Sequence, residues 1–99
     1  MQDSCIVVVT VRNHPGVMSH ITGLFSRRAY NLEGILCAPV EDGKKSRMYL
    51  LVNEDERLEQ IVKQVQKLYD VLHVVICHGC DTSVFGRLHE LVGFPVEQG

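Results

Sequence analysis

Tryptophan is absent from the 99 residues, and aromatic side chains are limited to three Phe and three Tyr. So few rings exclude the stacking platform that sheet-based RNA readers carry on their strands, where only Tyr49 is available. An excess of one charge is missing too. Ten Lys and Arg face twelve Asp and Glu, for a net charge of -2 with His neutral, which excludes the cationic field of a general nucleic-acid binder. No apolar run approaches the ~20 residues needed to cross a bilayer, and the opening Met1-Gln2-Asp3-Ser4 lacks the basic start of a secretory signal. The expectation is a soluble cytoplasmic protein with neither a membrane nor a nucleic acid as partner. With 45% hydrophobic and 22% charged residues, the chain has the composition of one folded domain, and it is too short for two separate cores.

Catalytic signatures are also missing. There is no paired-carboxylate site, no GxSxG, no phosphate loop, and no Cys set beside a base and its orienting group. His14, His20, His73, His78 and His89 are scattered, with nothing near any of them to complete a mechanism. The expectation is a chain that is not an enzyme and has no catalytic residues. Of four cysteines, Cys5 and Cys37 fall in apolar runs and read as small buried hydrophobes. Cys77-His78-Gly79-Cys80 is a lone CxxC without the two further ligands of a metal site. It closes a strand, whereas a redox pair opens a helix, so reduced thiols are expected and no metal.

What is present is an alternation of strand and helix signals. Residues 5–12 (CIVVVTVR) are β-branched and end at the turn Asn13-His14-Pro15-Gly16. Residues 17–29 place Val17, Ile21, Leu24 and Phe25 on one helical stripe, with Arg27 and Arg28 in its last turn and Asn31 as a left-handed stop. Residues 32–40 and 47–52 read as strands joined by a hairpin turn over 41–45 that contains Asp-Gly. Asn53 and Glu56 form a capping box ahead of a second helix whose stripe is Leu58, Ile61, Val62, Val65 and Leu68. Residues 71–77 (VLHVVIC) are the fourth strand. The order β-α-β-β-α-β predicts an α+β, ferredoxin-like fold: a four-stranded antiparallel sheet with two helices on one face and right-handed crossovers. Strands one and three should be central. The domain spans 3–78, and 79–99 is an appendix with a short helix over 83–91.

Two segments carry functional content. The stretch Ile35-Leu36-Cys37-Ala38 is apolar on both faces and has no protecting Lys, although it belongs to an edge strand. A second copy paired there about a two-fold axis is the preferred reading, with the appendix covering the edge as the alternative. The loop Asn13-His14-Pro15-Gly16-Val17 turns a strand sharply into a helix, whose first N–H groups are unpaired and carry partial positive charge. Gly16 lets a ligand approach the backbone. The Asn13 amide can donate to a carboxylate and accept from an ammonium. Val17, Met18 and Ile35 could enclose a small aliphatic side chain. The same loop is equally consistent with a plain structural turn.

Residues 10–42, TVRNHPGVMSHITGLFSRRAYNLEGILCAPVED, closely resemble the regulatory (small) subunits of acetolactate synthase, also called acetohydroxyacid synthase, a family with an ACT-type domain. The RNHPGV loop, the GLFSRRAYN helix end and the NLEGI strand start carry the likeness. LLVNEDERLEQIVKQVQKLYDV extends it, so that it covers about residues 5–78 and matches the short form without a second C-terminal domain. The resemblance implies a non-catalytic subunit that binds the catalytic subunit, raises its activity and confers feedback inhibition by valine or a related branched-chain amino acid. It places the effector between two paired ACT domains. Asn13, Gly16, Val17 and Met18 of one chain would hold its polar end, and Asn31, Leu32 and Ile35 of the other would complete the pocket. No cofactor is expected in this chain; thiamine diphosphate, Mg and FAD would belong to the catalytic subunit alone. The runner-up is another amino-acid-sensing ACT protein, such as a transcriptional regulator, for which residues 79–99 are short and insufficiently basic.

Overall fold

The computed structural model describes residues 4–93. Its elements are β1 (Ser4–Arg12), α1 (Val17–Arg27), β2 (Leu32–Val40), β3 (Lys45–Asn53), α2 (Leu58–Gln66) and β4 (Val71–Cys77). A 3-10 turn (Ser83–Gly86) and a single helical turn, α3 (Leu88–Leu91), follow. The strands form one antiparallel sheet in the order β2-β3-β1-β4. This is the ferredoxin-like βαββαβ arrangement, with β1 and β3 central and β2 and β4 at the edges.

Alternation along the central strands sets the core. Cys5, Val7 and Val9 pair across the ladder with Val52, Leu50 and Met48, and all six are fully buried. Onto this layer α1 lowers Val17, Ile21 and Phe25, and α2 lowers Leu58, Ile61, Val62 and Val65. Burying a Leu, Ile or Phe side chain contributes about 1.5–3 kcal/mol, so these two stripes hold both helices on the same face. The opposite face carries Ile6, Val8, Tyr49, Leu51, Leu36 and Val75, which share the other parity of the ladder.

Several local expectations are corrected. The left-handed residue that ends α1 is Ala29 (φ 55), not Asn31. The Tyr30 N–H bonds the Phe25 carbonyl and the Ala29 N–H the Ser26 carbonyl, both at 2.9 Å, which is a Schellman closure. It holds because Tyr30 is buried edge-on against Phe25, ring centroids 6.0 Å apart, and donates its hydroxyl to the Asn53 carbonyl. Burial, then the nearby Asp55 charge, raises the Tyr30 pKa. The capping box does not form. Asn53 belongs to β3, where its amide donates to Glu33 at 3.0 Å, and Asp55 instead accepts from the Arg57 backbone N–H and guanidinium ahead of α2.

The cysteines also differ from expectation. Cys37 is exposed, since an edge strand leaves its side chain uncovered, while Cys5 is buried and its thiol pKa is raised by that burial. Cys77 and Cys80 form a disulfide, not a pair of free thiols; Gly79 at φ 74 makes the tight turn that brings them together. The Ser83–Gly86 turn neither extends the sheet nor pairs with β2. It bonds within itself, Phe85 N–H to the Thr82 carbonyl and Arg87 N–H to that of Val84, and lies on the face opposite the helices.

A left-handed Ala carries a steric penalty that Gly does not. Ala29→Gly should therefore stabilise the fold by a net of about 0.5–1 kcal/mol, the relief of about 1–2 kcal/mol less the extra unfolded-state entropy of Gly, read from the urea midpoint. An unchanged or lowered midpoint would show that the helix end is not strained there.

Candidate functional site

The β1–α1 loop closes the end of the sheet where Arg12 pairs with Lys45 and Val40 pairs with Lys45 from the other side. Its backbone is tied down: the Asn13 N–H bonds the Lys44 carbonyl at 3.0 Å, and the Asn13 side-chain amide donates to the Gly43 carbonyl at 2.9 Å. Asn13 thus holds the loop against the β2–β3 hairpin, and among the described residues nothing donates to its side-chain oxygen.

Gly16 is the N-cap of α1 at φ 87, with no side-chain cap. A Cβ placed on it would meet nothing within 4 Å, so its role is conformational and its surroundings are open. The bonds made at this helix start run from the Val17 N–H to the His14 carbonyl (3.3 Å) and from the His20 N–H to the Gly16 carbonyl (3.1 Å). The Met18 and Ser19 amides are left for solvent or a ligand. The first turn of α1 contains no acidic residue, so no carboxylate of its own competes for the positive end of the helix. Nearby charges are engaged elsewhere: Arg12 donates to the Tyr69 carbonyl at 2.6 Å and stacks on that ring, and His14 lies 3.6 Å from Asp70. Val17 is buried and Met18 is 42% exposed, which offers an apolar wall beside the amides.

The other three predicted residues lie elsewhere. Asn31 and Leu32 enter β2 at the opposite end of the sheet, where Leu32 pairs with Val52. At about 3.3 Å per residue, the two ends of β2 are roughly 25 Å apart. One chain therefore brings Asn13, Gly16, Val17 and Met18 together but not with Asn31 and Leu32. Ile35, midway, is 42% exposed on an edge that no strand covers among the described residues.

A second feature of β2 was not visible in the residue pattern. Its pairing with β3 shifts between Leu32 and Gly34, leaving Glu33 as the extra residue of a β-bulge. Leu32 and Ile35 are three positions apart and would point to opposite faces of a regular strand. The bulge puts both on the helix side, opposite Val52 and Leu50. Gly34 inside a strand was the available signal. At the end of the sheet where β2 begins, an acidic cleft just past β3 and β4 is lined by Glu54, Asp55, Glu56, Glu59 and His78, in which His78 contacts Glu54 at 3.0 Å.

Comparison with known proteins bears on the family and the fold. Residues 7–73 match the family described as the AHAS small subunit-like ACT domain. The chain is 60% identical over 72 residues to the acetolactate synthase isozyme 1 small subunit of Escherichia coli K12, covering 73% of this chain and 75% of that protein. It is 47% identical over 70 residues to the isozyme 3 small subunit of the same organism, covering 70% of this chain and 43% of that protein. Among solved structures, the acetolactate synthase small subunit from Thermotoga maritima superposes with a TM-score of 0.66 at 36% identity, covering 74% of this chain and 46% of that one. The chain thus spans less than half the length of the last two relatives.

Replacing Asn13 by Ala removes the amide that ties the loop to the hairpin. It should cost about 0.5–1.5 kcal/mol and speed amide exchange at residues 43–45. Unchanged exchange in that turn would show that the tie does not order it.

Proposed function

Since the chain belongs to the AHAS small subunit-like ACT domain family, we propose that it is a regulatory subunit of acetolactate synthase. On this reading it binds a catalytic subunit in the cytoplasm, raises its activity and confers feedback inhibition by valine. Thiamine diphosphate, magnesium and FAD would sit in the catalytic subunit, and this chain would supply the effector site.

The observation that carries the reading is the pairing of an open, uncapped α1 start with an uncovered β2 edge. A two-fold pairing of β2 with its twin, centred near Leu36, would run the strands antiparallel. It would set Leu32 of one chain beside Val40 of the other, next to the hairpin to which Asn13 is tied. The two half-sites that a single chain holds apart would then meet twice, once at each end of the joined strands. The α1 amides and Asn13 would take the carboxylate and ammonium of the amino acid. Val17, Met18, Leu32 and Ile35 would take its branched side chain. Pro39 has no N–H to donate, which confines the new ladder to the residues before it.

Regulation then requires that valine bind one arrangement of the assembly better than another, because a ligand with equal affinity for both shifts nothing. A coupling of about 1–3 kcal/mol would change activity several-fold or more, and linkage makes valine and the catalytic subunit influence each other's binding equally.

Valine, leucine and isoleucine titrated into the full chain should drive association to a dimer, followed by sedimentation, with valine also inhibiting the reconstituted enzyme. A chain that stays monomeric at saturating valine and leaves the enzyme insensitive would refute the reading. Gly16→Asp should weaken valine binding far more than Gly16→Ala. Both lose the φ 87 conformation, and only Asp adds a negative charge where the carboxylate docks. Equal losses would move the carboxylate elsewhere.

A further inference from the structure

The segment after β4 leaves the sheet through the Cys77–Cys80 disulfide and returns across the face opposite the helices. Its Val84 and Phe85 close an apolar pocket with Ile6, Leu36 and Tyr49. Ile6 is consequently only 6% exposed, whereas Val75, on the same face but beyond the strap, is 45% exposed. The tip of the strap is specific in its placement. A Cβ on Gly34 would lie 2.5 to 3.2 Å from three carbons of the Phe85 ring, so the ring rests directly on the Gly34 backbone. No other side chain than that of glycine leaves room for it.

Gly34 is also where the β2–β3 register resumes after the Glu33 bulge. That bulge is what turns Leu32 and Ile35 to the same face. The Asn53 amide holds the bulged Glu33 from its carboxylate, and Phe85 presses the next residue from the opposite face.

We propose that Phe85 is a positioning residue for the effector site: by clamping Gly34 it fixes the β2 bulge and thereby the joint orientation of Leu32 and Ile35. The inference rests on the effector reading given above for the use of those two side chains, and on the contact geometry alone for the clamp. Phe85 reaches neither the ligand nor the β2 edge. It acts through one strand backbone, from the far side of the sheet, and leaves the edge free for a partner. The C-terminal segment thereby becomes a route by which anything that lifts the strap would loosen the pocket.

The test is a double-mutant cycle on the full-length chain. Phe85→Ala removes the ring. Gly34→Ala, in ordinary strand conformation, expels the ring without altering it. Each should weaken valine binding roughly three- to tenfold by calorimetry, the range of residues that act through packing without touching ligand, and should speed amide exchange at residues 33–36. Gly34→Ala added to Phe85→Ala should cost little more, because its clash is gone. Phe85→Leu should retain most of the affinity and stands in if the Ala variant fails to fold. Wild-type affinity and β2 exchange in Phe85→Ala, or fully additive losses in the double variant, would overturn the clamp. If the wild-type chain binds no valine, the effector reading falls, while the exchange rates and the cycle measured on urea midpoints still decide the clamp.

Discussion

Everything in this molecule follows from the two-residue period of its central strands. Val7, Val9, Met48 and Leu50 all project to one side and are fully buried, so both helices must lie on that side. The two helices then leave uncovered the far face of the sheet and its outer edges, that of β2 among them. The chain deals with them differently. It lays its own Val84 and Phe85 over part of the face, and it leaves the β2 edge open among the described residues. An uncovered edge with Ile35 and Cys37 exposed on it invites another strand.

The architecture was legible because each element repeats its signal several times. Four strands and two amphipathic helices each carry three or more apolar residues at the right spacing, so one misleading position changes no assignment. Details that rest on a single residue were not legible. Asn is the better left-handed residue than Ala by local preference, yet Ala29 takes that conformation because burial of Tyr30 against Phe25 outweighs a penalty of about 1–2 kcal/mol. The capping pattern of Asn53 and Glu56 was matched in letters, but Asn53 is drawn into β3 by its ladder with Ser4. Tertiary contact overrides local chemistry in both places.

The candidate site divides along the same line. The uncapped α1 start could be foreseen from Asn13 to Val17, since a Pro-Gly turn before an apolar stripe fixes both the loop and the exposed amides. The bulge and the strap could not. A bulge shifts register by one residue without changing composition, and the Phe85–Gly34 contact joins positions 51 residues apart whose only local signs are one strand glycine and one aromatic in a stretch without periodicity. Likewise the Cys77–Cys80 bond depends on Gly79 reaching φ 74, which spacing alone does not decide.

A site whose halves lie at opposite ends of one sheet has a thermodynamic consequence. On the proposed reading a monomer would offer the ligand only half of its contacts, so affinity for the effector and affinity for the twin chain would be coupled reciprocally. An effector present at a hundred times its dissociation constant adds about 2.7 kcal/mol to whichever state it binds. That state would be the paired one. On that reading a small amino acid would have leverage over a whole assembly without touching a catalytic group, and any element that sets the pocket from outside would share the leverage. The β2 bulge is such an element, because a slip of one residue there would turn either Leu32 or Ile35 away from its partner across the two-fold axis.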